Sequence, residues 1–293
     1  MKRLLGFNNT YSGTESADKT VEEMYDFIIS TYRLYVEVFN IDIQDKRILE
    51  IGPGDNIGVA LLLIAKGARQ VICVDAFYSR RDREKETEIY KKIFSACTKA
   101  EKKRLSEAII FTKERFKLNP DKLRYLSRTP IEKWRYKCKF DLVFSRSVLE
   151  HVSDVKKTIS NTYQLLDSAG KQVHYVSTGD HKILSEKFGP FEWLKIGKTV
   201  WGMMVKYSGH PNRVLIPEYR KILVSSGFSS EFLIARYHGF DDVLMKKGIS
   251  SRILDDLKQD TSLDEHKRQF VLPYRDYSDQ DLLTRNFLFF AKK

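Results

Sequence analysis

The sequence predicts an α/β protein built on a doubly wound, mostly parallel sheet of seven strands. Short apolar runs of strand length alternate with stretches of helical period along most of its 293 residues. The first strand enters a glycine-rich turn, "GPGDNIG", and the next ends on an aspartate. Two stretches, residues 79–119 and 181–216, exceed what simple connections need and are expected to be helical insertions that form a lid.

The elements follow in chain order. Residues 1–18 are polar with Gly and Ser and read as a loose entry. Residues 19–39 carry apolar groups at helical spacing. "KRILEIG" is a strand, Asn56–Lys66 a helix, and "QVICVDAF" the second strand. The charged stretch 79–119 is helical by composition, and "LRYLS" follows as a short strand. "FDLVFS" is apolar enough on both faces for a buried parallel strand. "DVKKTISNTYQLLDSAGK" reads as a helix stopped by Gly170, and "KQVHYVSTG" as the next strand. "PEYRKILVSSGF" is a helix with Pro217 in its first turn and Gly227 past its end. "EFLIARYHG" and "NFLFFAKK" complete the seven, with a helical segment at 241–259 between them. The expected organisation is an N-terminal helical segment, residues 1–45, followed by one domain over 46–293 with the two insertions.

Composition narrows the function. No stretch approaches the roughly 20 apolar residues that cross a bilayer, and the start lacks an apolar leader segment. Cys73, Cys97 and Cys138 are scattered, so neither a disulfide framework nor a metal site is expected. These features predict a cytoplasmic protein. The net charge of +12 favours anionic partners, although the basic residues are interspersed with acids.

In a doubly wound sheet the ligand lies beyond the carboxyl ends of the strands, at the switch point. Gly52 and Gly54 permit a sharp turn and a close approach of backbone to ligand. Gly58, inside the next helix, permits close packing on the sheet. The spacing is G-x-G-x-x-x-G, and Asp55 stands where a pyrophosphate would need to lie. With Glu50 just ahead of the turn, the loop suits a ligand with a positive group and a ribose rather than a diphosphate. S-adenosylmethionine has that chemistry.

"LEIGPGDNIG" resembles the first motif of class I S-adenosylmethionine-dependent methyltransferases, "VICVDAF" their second, and "FDLVFSRSVLEHVSD" their fourth strand with the segment after it. The likeness covers residues 46–180, and the remaining strands by pattern. It implies the Rossmann-like methyltransferase fold and S-adenosylmethionine as cofactor. Glu50, Gly52 and Gly54 would line the methionine end, Asp75 would take both ribose hydroxyls, and Ala76 and Phe77 would lie against adenine or ribose. Ile131 would flank the adenine; the chain departs from the family at Thr129 and Pro130, which leaves Glu132 to supply the adenine amino contact. Ser145 and Arg146 would approach the methionine moiety and the reacting methyl.

Methyl transfer from a sulfonium is an in-line displacement, and a hydroxyl acceptor profits from a base. The candidates at strand ends are Glu150, His151 and His181, with Asp180 able to orient an imidazole. The stretch from Ser177 to Phe228 resembles a subset of these enzymes found with bacterial surface-polysaccharide biosynthesis, in the layout of Asp180, His181, Phe191, Trp193, Asn212 and Arg213. That likeness implies a small hydroxylated acceptor such as a sugar or nucleotide sugar, with Asp180, Trp193, Asn212 and Arg213 on the acceptor side. A nucleic-acid methyltransferase is the alternative suggested by the charge. The segment "SRSV" after the fourth strand lacks the Pro-Pro-Tyr-type motif of base amino methylation, and no cysteine has the context of pyrimidine chemistry, so nucleic acid is disfavoured. A non-catalytic binding module is the remaining alternative; the intact glycines and Asp75 argue against it.

Overall fold

The computed structural model describes residues 18–79, 81–112, 115–181, 183–205, 211–240 and 250–293. The loose entry expected at 1–17 and the first part of the segment at 241–259 lie outside the described residues. The elements are α1 (Val21–Val36), β1 (Arg47–Ile51), α2 (Gly58–Ala65), β2 (Gln70–Val74), α3 (Arg83–Ala96), α4 (Lys99–Ala108), β3 (Ile109–Phe111), β4 (Phe116–Leu118), β5 (Leu123–Leu126), β6 (Phe140–Arg146), α5 (Val155–Leu165), β7 (Leu166–Ser177), α6 (Ser185–Phe188), α7 (Lys198–Val205), α8 (Ile216–Ser225), β8 (Ser229–Tyr237), α9 (Ser251–Asp260), α10 (Leu263–Lys267), α11 (Asp279–Leu283) and β9 (Thr284–Lys292). Seven strands form the expected sheet in the order β5-β2-β1-β6-β7-β9-β8. β1 pairs in parallel with both β2 and β6, so the strand order reverses at β1, where this fold class places its ligand. Among the described residues no helix is long and apolar enough to cross a membrane.

The chain divides into two compact units. The first comprises the residues through Arg146 with Ser160–His174 and Lys292–Lys293; the second comprises Ser147–Ile159 and Tyr175–Ala291. In the first unit, α1 opens with a capping box in which Thr20 and Glu23 satisfy each other's backbone N–H groups. Every residue of α2 is buried, as its all-apolar sequence requires. Gly58 is the first residue of α2, and its tight neighbour is not the sheet. A Cβ there would come within 2.3 Å of Ile28 on α1, so glycine allows the two helices to touch.

Two expectations are corrected here. The stretch 79–119 is not helical throughout. Asp82 and Thr98 each cap a separate helix, and the chain then turns into the β3–β4 hairpin, which pairs Ile109 with Leu118. Composition missed it because the strands are only three residues long and flanked by charges. Gly170 does not stop α5, which ends at Leu165, and β7 begins at Leu166. A Cβ on Gly170 would lie 2.9 Å from the Leu166 side chain, so the glycine serves packing instead. Pro217 and Gly227 stand as expected, at the first turn of α8 and, with φ +89°, beyond its end.

The core of the second unit gathers Phe191, Trp193 and Trp201 from the 181–216 insertion with Tyr237, Leu257, Phe270 and Tyr274. The insertion is therefore packed by its aromatics. Its outer apolar side chains, Phe188, Val200, Met203 and Met204, remain exposed.

Candidate active site

The glycine-rich turn leaves β1 through two left-handed glycines, Gly52 at φ +66° and Gly54 at φ +75°. Side chains are strained in that conformation. The Gly52 N–H donates to Val74 O at 2.8 Å, which ties the turn to the end of β2. There Asp75 is buried, and its carboxylate accepts the N–H of Phe77 at 2.9 Å and that of Gly54. Burial pushes the Asp75 carboxyl up, partly offset by those two donors and by Arg81. Thr129 N–H donates to Asp75 O at 2.7 Å, which brings the loop that leads to Ile131 beside the same strand end. Ile131 is buried, and its carbonyl accepts the Asn161 amide at 2.6 Å. Ala76 is exposed and Phe77 half-buried.

Glu50 is 2% exposed and accepts a long hydrogen bond, 3.4 Å, from the Cys73 thiol. Burial pushes its carboxyl up to about 7, against the Cys73 hydrogen bond and the Arg81 charge. The folded value lies above the ordinary 4.5, so this group's contribution to stability is full below about pH 4.5 and is lost as pH rises through about 7. The loss is on the order of 3 kcal/mol. Glu50→Gln is expected to be more stable than wild type at pH 8 by up to that amount and no more stable at pH 4.5, measured by urea denaturation at both values. An equal difference at the two pH values would contradict it.

Sequence reading missed the struts under the turn. Tyr90 accepts the Ile57 N–H at 2.8 Å and donates to Glu86 at 2.7 Å. Arg81 pairs with Glu86 at 3.1 Å, reaches Gly54 O at 3.4 Å and lies 3.8 Å over the Tyr125 ring, with its buried Nε lacking a partner. In the sequence Arg81 and Glu86 are hidden in a run of charges, "RRDREKE".

Two residues expected beside the cofactor are committed elsewhere. Ser145 is fully buried, and its hydroxyl lies 2.6 Å from Nδ1 of His174, whose Nε2 meets Gln172 at 3.0 Å. Burial drives the His174 imidazole down to about 3, so it stays neutral. Arg146 bonds to the Thr31 and Ser30 hydroxyls and lies 4.2 Å from the Phe27 ring centre, pinning α1 beside the end of β6.

In the second unit Glu150, His151 and His181 come together: one ligand atom of each lies within 4.8 Å of the others. The two imidazole rings meet edge to face at 4.8 Å. Glu150 is 2% exposed; Oε1 accepts the Ser177 N–H at 3.2 Å, and Oε2 is buried without a hydrogen bond. Burial pushes its carboxyl up to about 8.

The four residues expected to meet the acceptor have structural duties instead. Asp180 spends both carboxylate oxygens on residues 184–185: Oδ2 accepts the N–H groups of Leu184 and Ser185, and Oδ1 the Ser185 hydroxyl. Trp193 is buried in the core, with its indole N–H on Pro190 O. Asn212 donates through Nδ2 to Leu149 O and Val152 O and through its backbone to Glu150 O, clamping the turn that carries Glu150 and His151. Arg213, 5% exposed, donates to Trp193 O at 2.8 Å and Ile196 O at 2.6 Å and lies against the Trp201 and Tyr274 rings. The local sequence pattern marks these residues without telling a ligand contact from an internal brace.

The profile of the methyltransferase-domain family matches residues 21–231. Among solved structures, phosphoethanolamine N-methyltransferase 2 of Haemonchus contortus, in complex with S-adenosyl-L-methionine, is 19% identical over 91% of this chain and 52% of its own, with a TM-score of 0.46. This chain thus spans about half the length of that protein. An S-adenosylmethionine dependent methyltransferase of Mesorhizobium loti is 15% identical over 88% of this chain and 95% of its own, with a TM-score of 0.45. No curated protein matches the sequence.

Proposed function

The chain belongs to the methyltransferase-domain family, whose members act as enzymes on S-adenosylmethionine, and on that premise we propose that it methylates an oxygen of a small hydroxylated acceptor. The observation that carries this reading is the meeting of Glu150, His151 and His181, two imidazoles and a buried carboxylate that can take up or orient a hydroxyl proton.

The first unit suits the cofactor. Two left-handed glycines shape the turn, and the Glu50 and Asp75 carboxylates at neighbouring strand ends suit its cationic and ribose groups. The cofactor, when bound, supplies a methyl group on a positively charged sulfur. Asp75 would accept the ribose hydroxyls, Gly52 and Gly54 would let the backbone approach the ligand, and Ile131 would offer an apolar wall to the adenine. Ser145 and Arg146 contribute to this site by holding β6 and α1 in place.

In the second unit the histidines act on the acceptor, and Asn212 is a positioning residue for the turn that bears two of the three groups. Arg213 and Trp193 lie inside the core, so neither is assigned to the acceptor in this reading. The sequence resemblance to enzymes of surface-polysaccharide biosynthesis makes a sugar-like polyol the acceptor class to try first.

Asp75→Ala is expected to weaken S-adenosylhomocysteine binding by about 2 kcal/mol, roughly thirtyfold, because two hydroxyls lose a charged acceptor. Calorimetric titration of wild type and variant checks it, and equal affinity in a folded variant would remove the cofactor from this strand end. A panel of polyols, sugars, phenols, amines and RNA with labelled cofactor tests the acceptor. Transfer to RNA or to amines alone would overturn the hydroxyl reading.

A further inference from the structure

We propose that Glu150, His151 and His181 together bind one divalent cation of the first transition row. No pattern in the sequence announces it, since Glu150 and His151 stand 30 residues or more from His181. The fold brings one ligand atom of each within 4.8 Å of the others. An ion with bonds of about 2.0–2.2 Å separates its ligand atoms by roughly 3–4 Å, so small side-chain rotations close the set.

A second observation points to a ligand independently. Glu150 is buried, and its Oε2 has no hydrogen-bond donor. The phenol oxygen of Tyr219, a buried ring that feels the Glu150 charge, is likewise without a partner. Leaving such atoms unpaired is costly in an apolar setting. A cation on the carboxylate removes that cost for Glu150.

The two segments that carry the ligands are also braced. Asn212 makes three hydrogen bonds to the 149–152 turn, through Leu149 O, Glu150 O and Val152 O. His181 stands at φ +48°, immediately after Asp180, whose carboxylate is tied to residues 184–185. Fixing the supports of first ligands in this way is how proteins lower the cost of organising a metal site.

The donor set selects the ion. Two imidazole nitrogens and one carboxylate suit Mn²⁺, Fe²⁺, Co²⁺, Ni²⁺ or Zn²⁺, whereas Mg²⁺ and Ca²⁺ prefer oxygen throughout. Both histidines reach solvent, so three protein ligands leave positions for water or for an acceptor oxygen. The use of the cation rests on the proposed function. Coordination would lower the pKa of an acceptor hydroxyl. Its proton goes to solvent, the oxygen–carbon bond forms as the carbon–sulfur bond breaks, and the cofactor leaves as the neutral thioether. The cation keeps its oxidation state throughout.

The test uses the full chain freed of metal by chelator and dialysis. Mn²⁺ binding is followed by the loss of the free-ion paramagnetic resonance signal, and Zn²⁺ and Mg²⁺ binding by calorimetry. One Mn²⁺ or Zn²⁺ per chain is expected, with Mg²⁺ bound much more weakly. His151→Asn and His181→Asn, at exposed positions that spare the fold, should each weaken binding at least about tenfold. S-adenosylhomocysteine affinity should stay within a few-fold in both. Glu150→Gln should do the same to the cation where the variant folds. Absence of saturable binding, or binding unaltered in both folded histidine variants, would overturn the site. Methyl transfer to a hydroxyl that persists in excess chelator would overturn the cation's part in the transfer, while leaving the proposed function intact. One cation bound through these residues, with no hydroxylated acceptor turned over, would keep the site and sink the function.

Discussion

Arg213→Ala is expected to destabilise the second unit by about 3–5 kcal/mol, the scale of losing charge-assisted hydrogen bonds together with a large buried side chain. The guanidinium donates to the carbonyls of Trp193 and Ile196 and fills the space between the Trp201 and Tyr274 rings. Tyr274 in turn donates from its hydroxyl to Arg213 O at 3.1 Å, so both ends of the residue are used. Alanine would leave two carbonyls unpaired, remove cation–π contacts and open a void beside the Trp201 and Tyr274 rings. Chemical denaturation followed by tryptophan fluorescence measures this, since Trp193 and Trp201 lie 6.1 Å apart in the affected core. A variant of unchanged stability with a raised KM for acceptor would return Arg213 to the acceptor side.

His181→Ala is expected to lower kcat by about 10²-fold or more while cofactor affinity stays within a few-fold, the usual scale for removing a group that handles a proton. The expectation holds whether the imidazole takes the proton itself or holds a cation that acidifies the hydroxyl. His181→Asn keeps a residue that tolerates the left-handed backbone at this position, so it separates lost chemistry from lost conformation. The two substitutions should agree in kcat if the chemistry is what matters. Recovery of activity in the asparagine variant would make His181 a conformational residue. Once an acceptor is known, single-turnover kinetics with saturating cofactor provide the measurement.

Much of the first unit was legible in the sequence because its information is local. Strand and helix lengths, the order of elements and the turn after β1 follow from hydrophobic period and from glycines at two positions. Asp75 could be placed at the end of β2 for the same reason. Pro217 and Gly227 marked the bounds of α8, since proline fits only an early turn and glycine tolerates a positive φ. The failures also have local causes. Gly170 carries the stop signal of a helix, yet its meaning is set by the Leu166 side chain it must clear. The β3–β4 hairpin has three-residue strands, too short for an alternation to show.

The sequence by itself determined the sheet, the glycine-rich turn and the family, because each depends on backbone conformation and on residues close in the chain. Tertiary structure alone decided which polar residues are spent inside the protein. Ser145 went to His174, Arg146 to α1, and Asp180, Asn212 and Arg213 to braces of the second unit. It also decided that Glu150, His151 and His181 meet. The physical reason is that a polar side chain shows in sequence only its capacity to donate or accept. Which group satisfies that capacity depends on what the fold buries beside it, often from far along the chain.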